Sequence, residues 1–329
     1  MKRNSLLFQL IKRFLSSILV LLLVCIFLFA LIRIAPGSPN QKYLSPKFNS
    51  ALIEEIKISQ GLDQPLFNQF YNFVQNLLVG DLGISFEHNR PVLDVISEYL
   101  PITITLAILT VIVSLCIALL FALINMYFAS PRLTEFITRI SLVLYNTPTF
   151  VIGVFLIYLL SYQIKIFPSS GLNSFEAHNY SFINYYLDRF HHLILPVITL
   201  SVTVFPVYYK YLIGRLEELK HSTFVLYLTS IGTPQQEINM KHILPNAVNP
   251  LIAIIGIDLG NLLSGTLITE VIFGLPGLGR LTLNGIFARD YPLIIGCVLI
   301  AGLLILISNF IADLVRSQID PRLSEGLMN

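Results

Sequence analysis

Six stretches of the chain, residues 14–32, 104–128, 140–162, 193–213, 251–273 and 293–315, are almost wholly apolar, and polar residues gather between them. A helix needs about 20 such residues to cross the hydrocarbon core of a bilayer. The pattern therefore predicts an all-α integral membrane protein with six transmembrane helices. Between the first two stretches, Leu66, Phe67, Phe70, Phe73, Val74, Leu77 and Leu78 recur at helical spacing and predict an amphipathic helix. Val92, Val95, Ile96 and Tyr99 share a second helical face that leads into the next span through Pro101.

Charge orients these spans. Lys2, Arg3, Lys12 and Arg13 precede the first, and only Arg33 follows it closely, so the N-terminus is expected in the cytoplasm. The same side receives Arg132 and Arg139, the loop flanked by Lys210, Arg215, Lys220 and Lys241, and the tail with Arg316 and Arg322. An even span count then places both termini inside. Three parts follow: residues 1–100 with the first helix and a long external loop, residues 101–315 as a five-helix core whose cytoplasmic loop covers 214–249, and a tail at 316–329. A cleaved signal peptide would carry a shorter apolar core, roughly 7 to 15 residues, so the first run is expected to remain as a span.

Composition agrees with this reading. Hydrophobic residues make up 55% of the chain and charged ones 12%, with a mean hydropathy of +0.74, against roughly 25% charged residues in soluble domains. Lipid is the expected surrounding, with no nucleic-acid partner. Cys25, Cys116 and Cys297 fall inside apolar runs and are expected to be small buried side chains, not a disulfide framework or a metal site.

The most informative polar stretch is GTPQQEINMKHILPN, residues 232–246. Gly232 suits the left-handed residue that ends a short helix. Thr233 and Gln236 have capping-box spacing around Pro234, predicting a helix that starts at Pro234 and stops near Leu244, because Pro245 disfavours helix in the residue before it. A short crosswise helix can pass force to a soluble partner; a simple turn back into the membrane is the other reading. Pro148, Pro196 and Pro206 interrupt spans and predict kinks, either for packing or along a pathway. Asp258 is the one carboxylate expected deep in the membrane, where a charge must face a cavity or a partner. Asn261 shares its face, and Asn146 lies beside the Pro148 kink, so these three are path candidates; a bond within the interior is the alternative for Asp258.

No catalytic constellation appears. GLPGLGRLT, residues 274–282, has phosphate-loop glycine spacing but Arg280 and Leu281 where Lys and Ser or Thr are required. His191 and His192 are adjacent and point apart, and no nucleophile elbow occurs. No catalytic, cofactor or metal residue is assigned.

RIAPGSP, QGLDQPL, GDLGISF, RPVLDVISEYLP, NTPTFVIG, FPSSG, GTPQQEINMKHILPNAVNP, FGLPGLGRLTLNGIFARDYP and IDPRL occur in order along the chain. With them the whole sequence resembles the permease subunit of dipeptide, oligopeptide and nickel ABC importers, the first of their two permease types. The resemblance implies a type I importer (MetI-like) core, a second homologous permease, two cytoplasmic ATPases that use ATP, and an extracytoplasmic substrate-binding protein, in the bacterial inner membrane. It implies no enzymatic activity in this chain. It makes Gly232, Thr233, Pro234, His242, Ile243, Leu244, Pro245 and Asn246 part of the "EAA" coupling loop, although Leu226, Tyr227 and Leu228 stand where that motif expects Glu, Ala and Ala. Peptides are the expected cargo, with nickel or another small solute as the alternative. An ion-gradient transporter, which would show several deep ionisable residues and an inverted repeat, is the rival class.

Overall fold

The computed structural model describes residues 15–16, 18–27, 29–30, 65–128 and 130–319. RIAPGSP, most of QGLDQPL, nearly all of IDPRL and the flanks of the first run lie outside them, as do the N-terminal charges and Arg322. The elements are helices: α1 (Ile18–Phe27), α2 (Leu66–Leu78), α3 (Val92–Phe128), α4 (Pro131–Asn146), α5 (Thr149–Gln163), α6 (Phe182–Lys220), α7 (Thr223–Ser230), α8 (Gln235–Val248), α9 (Leu251–Gly265), α10 (Leu267–Ile272), α11 (Leu278–Ala288) and α12 (Tyr291–Ile319). By length and composition three of them can cross a membrane, or five when each of two bent pairs counts as one span. Of the expected first span only α1 and a few neighbouring residues are described.

Two expectations about helix ends are corrected. The third run is not one kinked helix: α4 and α5 meet at 101°. Pro148 forces Thr147 out of the helical region (φ −83°, ψ 126°) and is itself extended (ψ 133°), so two successive residues turn the chain. Pro196 and Pro206, by contrast, sit inside an unbroken α6. The fifth run splits at Thr266 into α9 and α10.

α3 and α6 hold 37 and 39 residues, about 55–60 Å long at 1.5 Å per residue, so both project beyond a hydrocarbon core of about 30 Å. They pack along each other, as do α9 and α12. The second pair is drawn together by Gly256 and Gly260, one turn apart: a Cβ on Gly256 would overlap that of Ala312, and one on Gly260 would stand 3.4 Å from the Ile305 Cα. Small residues at this spacing let membrane helices meet backbone to backbone. Three apolar clusters follow. One joins Ala118, Phe205, Tyr208, Leu212, Ile243 and Leu251. The next joins Leu106, Leu200, Leu263 and Phe273. The last joins Val92, Ile96, Leu278 and Leu293 at the expected external end.

Candidate functional site

At the expected cytoplasmic end, α7 closes with the Gly232 N–H donating to the Thr229 carbonyl (3.0 Å) and the Thr233 N–H donating to that of Leu228 (3.1 Å). Gly232 is left-handed, φ +84°. This pair of bonds is a Schellman motif, whose left-handed position penalises any Cβ. The expected capping box does not form. The Thr233 N–H already serves the preceding turn, and Pro234, extended at ψ 138°, caps α8 without a side-chain bond. Nor does α8 stop at Leu244. A π-helical turn over Ile238–Ile243 shifts the bonding register, and the helix continues through Pro245 to Val248. The turn also puts Ile238 and Ile243, five residues apart, on one face with Ala247, and all three are buried in the apolar cluster that includes Leu212 and Leu216 of α6.

The opposite face is open. Pro245 and Asn246 are exposed, and the Asn246 side chain donates to the His242 carbonyl at 2.7 Å. Lys241 bonds Glu237 at 2.8 Å, holding that carboxyl below its usual range and the ammonium above its own. Large apolar side chains are exposed beside them: Leu226 and Tyr227, where the motif expects Glu and Ala, with Ile231 and Met240.

A cavity of about 700 Å³ opens between α4 and α6, with Ile254 of α9 at its edge. Ser141, Leu142, Tyr145, Tyr209, Lys210 and Arg215 are among its lining residues. Asn146, Asp258 and Asn261 are not brought together there. Asn146 ends α4, exposed, bonded to the Leu142 carbonyl at 2.7 Å. Asp258 is half-buried, on the side of α9 away from the glycine pair, and its carboxyl lies against the Tyr208 hydroxyl. Neither its Oδ2 nor that hydroxyl has hydrogen-bond geometry with a described atom. Asn261 is exposed.

Two buried carboxylates at the other end were not singled out from the sequence. Glu270 is 0% exposed, so Asp258 is not the one deep acid. Its oxygens accept from the Thr103 hydroxyl (2.7 Å), the Thr266 hydroxyl (2.8 Å) and the Arg280 N–H (3.0 Å). Gly277 stands so close that a Cβ would collide with the carboxyl group. Asp290, also 0% exposed, accepts from the Ser85 hydroxyl (2.6 Å) and the Glu87 N–H (2.9 Å), and caps α12 through the Leu293 N–H (3.2 Å). The two acids bind GDLGISF and α3 to FGLPGLGRLTLNGIFARDYP. An acid inside an apolar run, TEVIF, was the available signal for Glu270.

The long apolar helices, the α7–α8 elbow and the clamp around Glu270 and Asp290 are on the page, and comparison with known proteins gives the family. Residues 114–325 match the family model described as "Binding-protein-dependent transport system inner membrane component". The chain belongs to that family. Residues 6–107 match the companion model "Binding-prot-dependent transport system membrane comp, N-term". Among relatives, a "Probable peptide ABC transporter permease protein y4tP" of Sinorhizobium fredii is 33% identical over 95% of this chain and 98% of its own length. The "Oligopeptide transport system permease protein AppB" of Bacillus subtilis is 30% identical over the same shares. A "Nickel import system permease protein NikB" of Staphylococcus aureus is 31% identical over 95% and 91%. The chain is thus an inner-membrane permease of a binding-protein-dependent ABC importer, which answers the ion-gradient alternative.

Proposed function

We propose that this permease imports peptides, with six spans and both termini in the cytoplasm, alongside a second homologous permease, two ATPase subunits and an extracytoplasmic binding protein. Peptide cargo is supported by the relatives named for peptides, although others are named for nickel. ATP is used in the partner subunits, and this chain carries no catalytic group or cofactor of its own in this reading.

The observation that carries the coupling role is the two-faced α7–α8 elbow. Its open face, from Gly232, Thr233 and Pro234 to His242, Leu244, Pro245 and Asn246, meets an ATPase, while Ile243 of the same loop lies on the buried face packed on α6. Closure of the ATPases on ATP pushes the elbow. The push reaches α6 through Ile238, Ile243 and Ala247, and α9 directly through the chain at Pro250. Asn146, Asp258 and Asn261 line the path in this scheme, with the α4–α6 cavity as its inner part.

Purification from the native membrane in mild detergent, followed by mass spectrometry, tests the assembly. A second permease and one or two ATPase polypeptides are expected. A chain recovered alone and able to transport without ATP would overturn it.

A further inference from the structure

Lys210 stands inside the apolar run 193–213, is exposed, and makes no ion pair among the described residues. An ammonium in such a run is costly unless it faces a wet cavity or an anion. Lys210 lines the α4–α6 cavity. About one and a half turns further on, Arg215 lines the same space and is held by Glu218 at 2.6 Å. The local pairing therefore leaves one positive charge over, on Lys210. Also in the lining, Ser141 is 4% exposed, and its hydroxyl has no hydrogen-bond partner among the described residues. The remaining lining is largely apolar or aromatic, with Leu142, Tyr145, Pro206 and Val207.

These features describe a ligand. It carries an anionic group for Lys210, an apolar part for the wall, and an acceptor or donor for Ser141. A bare divalent cation meets the wrong charge here, because the one carboxylate in the lining is already engaged by Arg215. A peptide with a free C-terminal carboxylate and an apolar side chain fits each part.

Building on the permease reading above, we propose that the α4–α6 cavity holds the C-terminal carboxylate end of the cargo, with Lys210 as its specificity-determining cation. The opposing view is that Lys210 only snorkels to the cytoplasmic interface, its stem covering apolar surface.

The test uses the whole importer in proteoliposomes with its own binding protein. Uptake driven by ATP is measured for di- and tripeptides with free C-termini and for the same peptides as C-terminal amides. The binding protein selects first, so the quantity read is the acid-to-amide uptake ratio in the Lys210→Met complex relative to wild type. That normalisation cancels selection upstream of the membrane. A drop of about tenfold in the ratio is expected, the scale of one hydrogen bond to a charged group. Lys210→Arg should keep most of the preference, which shows that charge rather than disturbed folding is being read. An unchanged ratio in Lys210→Met, with uptake intact, leaves only the snorkelling role and overturns the proposal. An equal loss of both uptakes with the ratio preserved also overturns it. If the wild-type complex moves no peptide of either form but moves nickel with ATP, the peptide reading fails first and takes this one with it.

Discussion

At the residue scale, a carboxylate buried at 0% exposure is tolerated only if donors surround it, and Glu270 has three. Glutamine there must turn an N–H₂ toward a hydroxyl or an amide that already donates. Glu270→Gln should cost about 1–3 kcal/mol, the usual penalty for an unsatisfied buried group, seen as a lower melting temperature of the detergent-solubilised complex. An unchanged melting temperature would mean that the cluster rearranges freely around the amide. Asp258 poses the opposite question, since its carboxyl meets the Tyr208 hydroxyl without hydrogen-bond geometry. If it lines the path, Asp258→Asn changes the rate or the preference of uptake across a peptide panel; identical uptake across the panel would return it to an interior contact of α9 with α6. The sequence singled out Asp258 because an acid stands out among apolar neighbours. It gives no sign of the cluster around Glu270, whose partners Thr103 and Arg280 lie far away along the chain or offer only backbone, nor of a ligand role for Lys210, whose charge by itself speaks only to topology.

At the element scale, the α7–α8 elbow depends on one backbone conformation. Gly232 at φ +84° has open space where a Cβ would go, so the penalty for a side chain there is conformational rather than steric crowding by neighbours. Gly232→Val should therefore leave insertion intact, loosen the Schellman turn and uncouple ATP hydrolysis from uptake. The readout is peptide moved per ATP hydrolysed in proteoliposomes, expected to fall severalfold; a wild-type ratio would remove the elbow from the coupling route. Gly232 was legible because a left-handed stop has few residue choices. The helix after it was only half legible. Thr233 and Gln236 satisfy a capping-box spacing, but the Thr233 N–H is spent on Leu228, a bond that one-dimensional spacing does not show. Pro245 reads as a stop, yet the π-turn over Ile238–Ile243 carries the helix past it, since the added register keeps two isoleucines against α6. The apolar run 140–162 likewise records that residues avoid water and says nothing of direction, so the 101° bend at Thr147 and Pro148 was read as a kink.

At the scale of the whole molecule, length and hydropathy identify which helices can cross, and the distribution of Lys and Arg supplies the direction. Those two kinds of information are independent, and α6 brings them to one place. Its N-terminal side follows the segment 164–181, where Phe175 is fully exposed, and its C-terminal side leads through Lys210, Arg215 and Lys220 to the α7–α8 elbow, where Gln236 is exposed. If α6 crosses as the positive residues require, these two positions lie on opposite faces of the membrane. Cys25 and Cys297 are buried, whereas Cys116, expected buried, is exposed midway along the apolar α3, a surface that lipid rather than water covers in a membrane, so a new cysteine in a polar loop should dominate labelling by a membrane-impermeant thiol reagent. Phe175→Cys should react in intact spheroplasts, and Gln236→Cys only after the membrane is opened. The reverse pattern would invert the protein and carry the elbow away from any ATPase. Labelling of both from outside would mean that α6, despite its 39 residues, does not span, and the cavity it shares with α4 would then be no path at all. The coupling and cargo readings therefore both stand on this single crossing: the elbow transmits force only if it faces the nucleotide-bearing side, and Lys210 meets an incoming carboxylate only if cargo arrives from the face on which Phe175 is exposed.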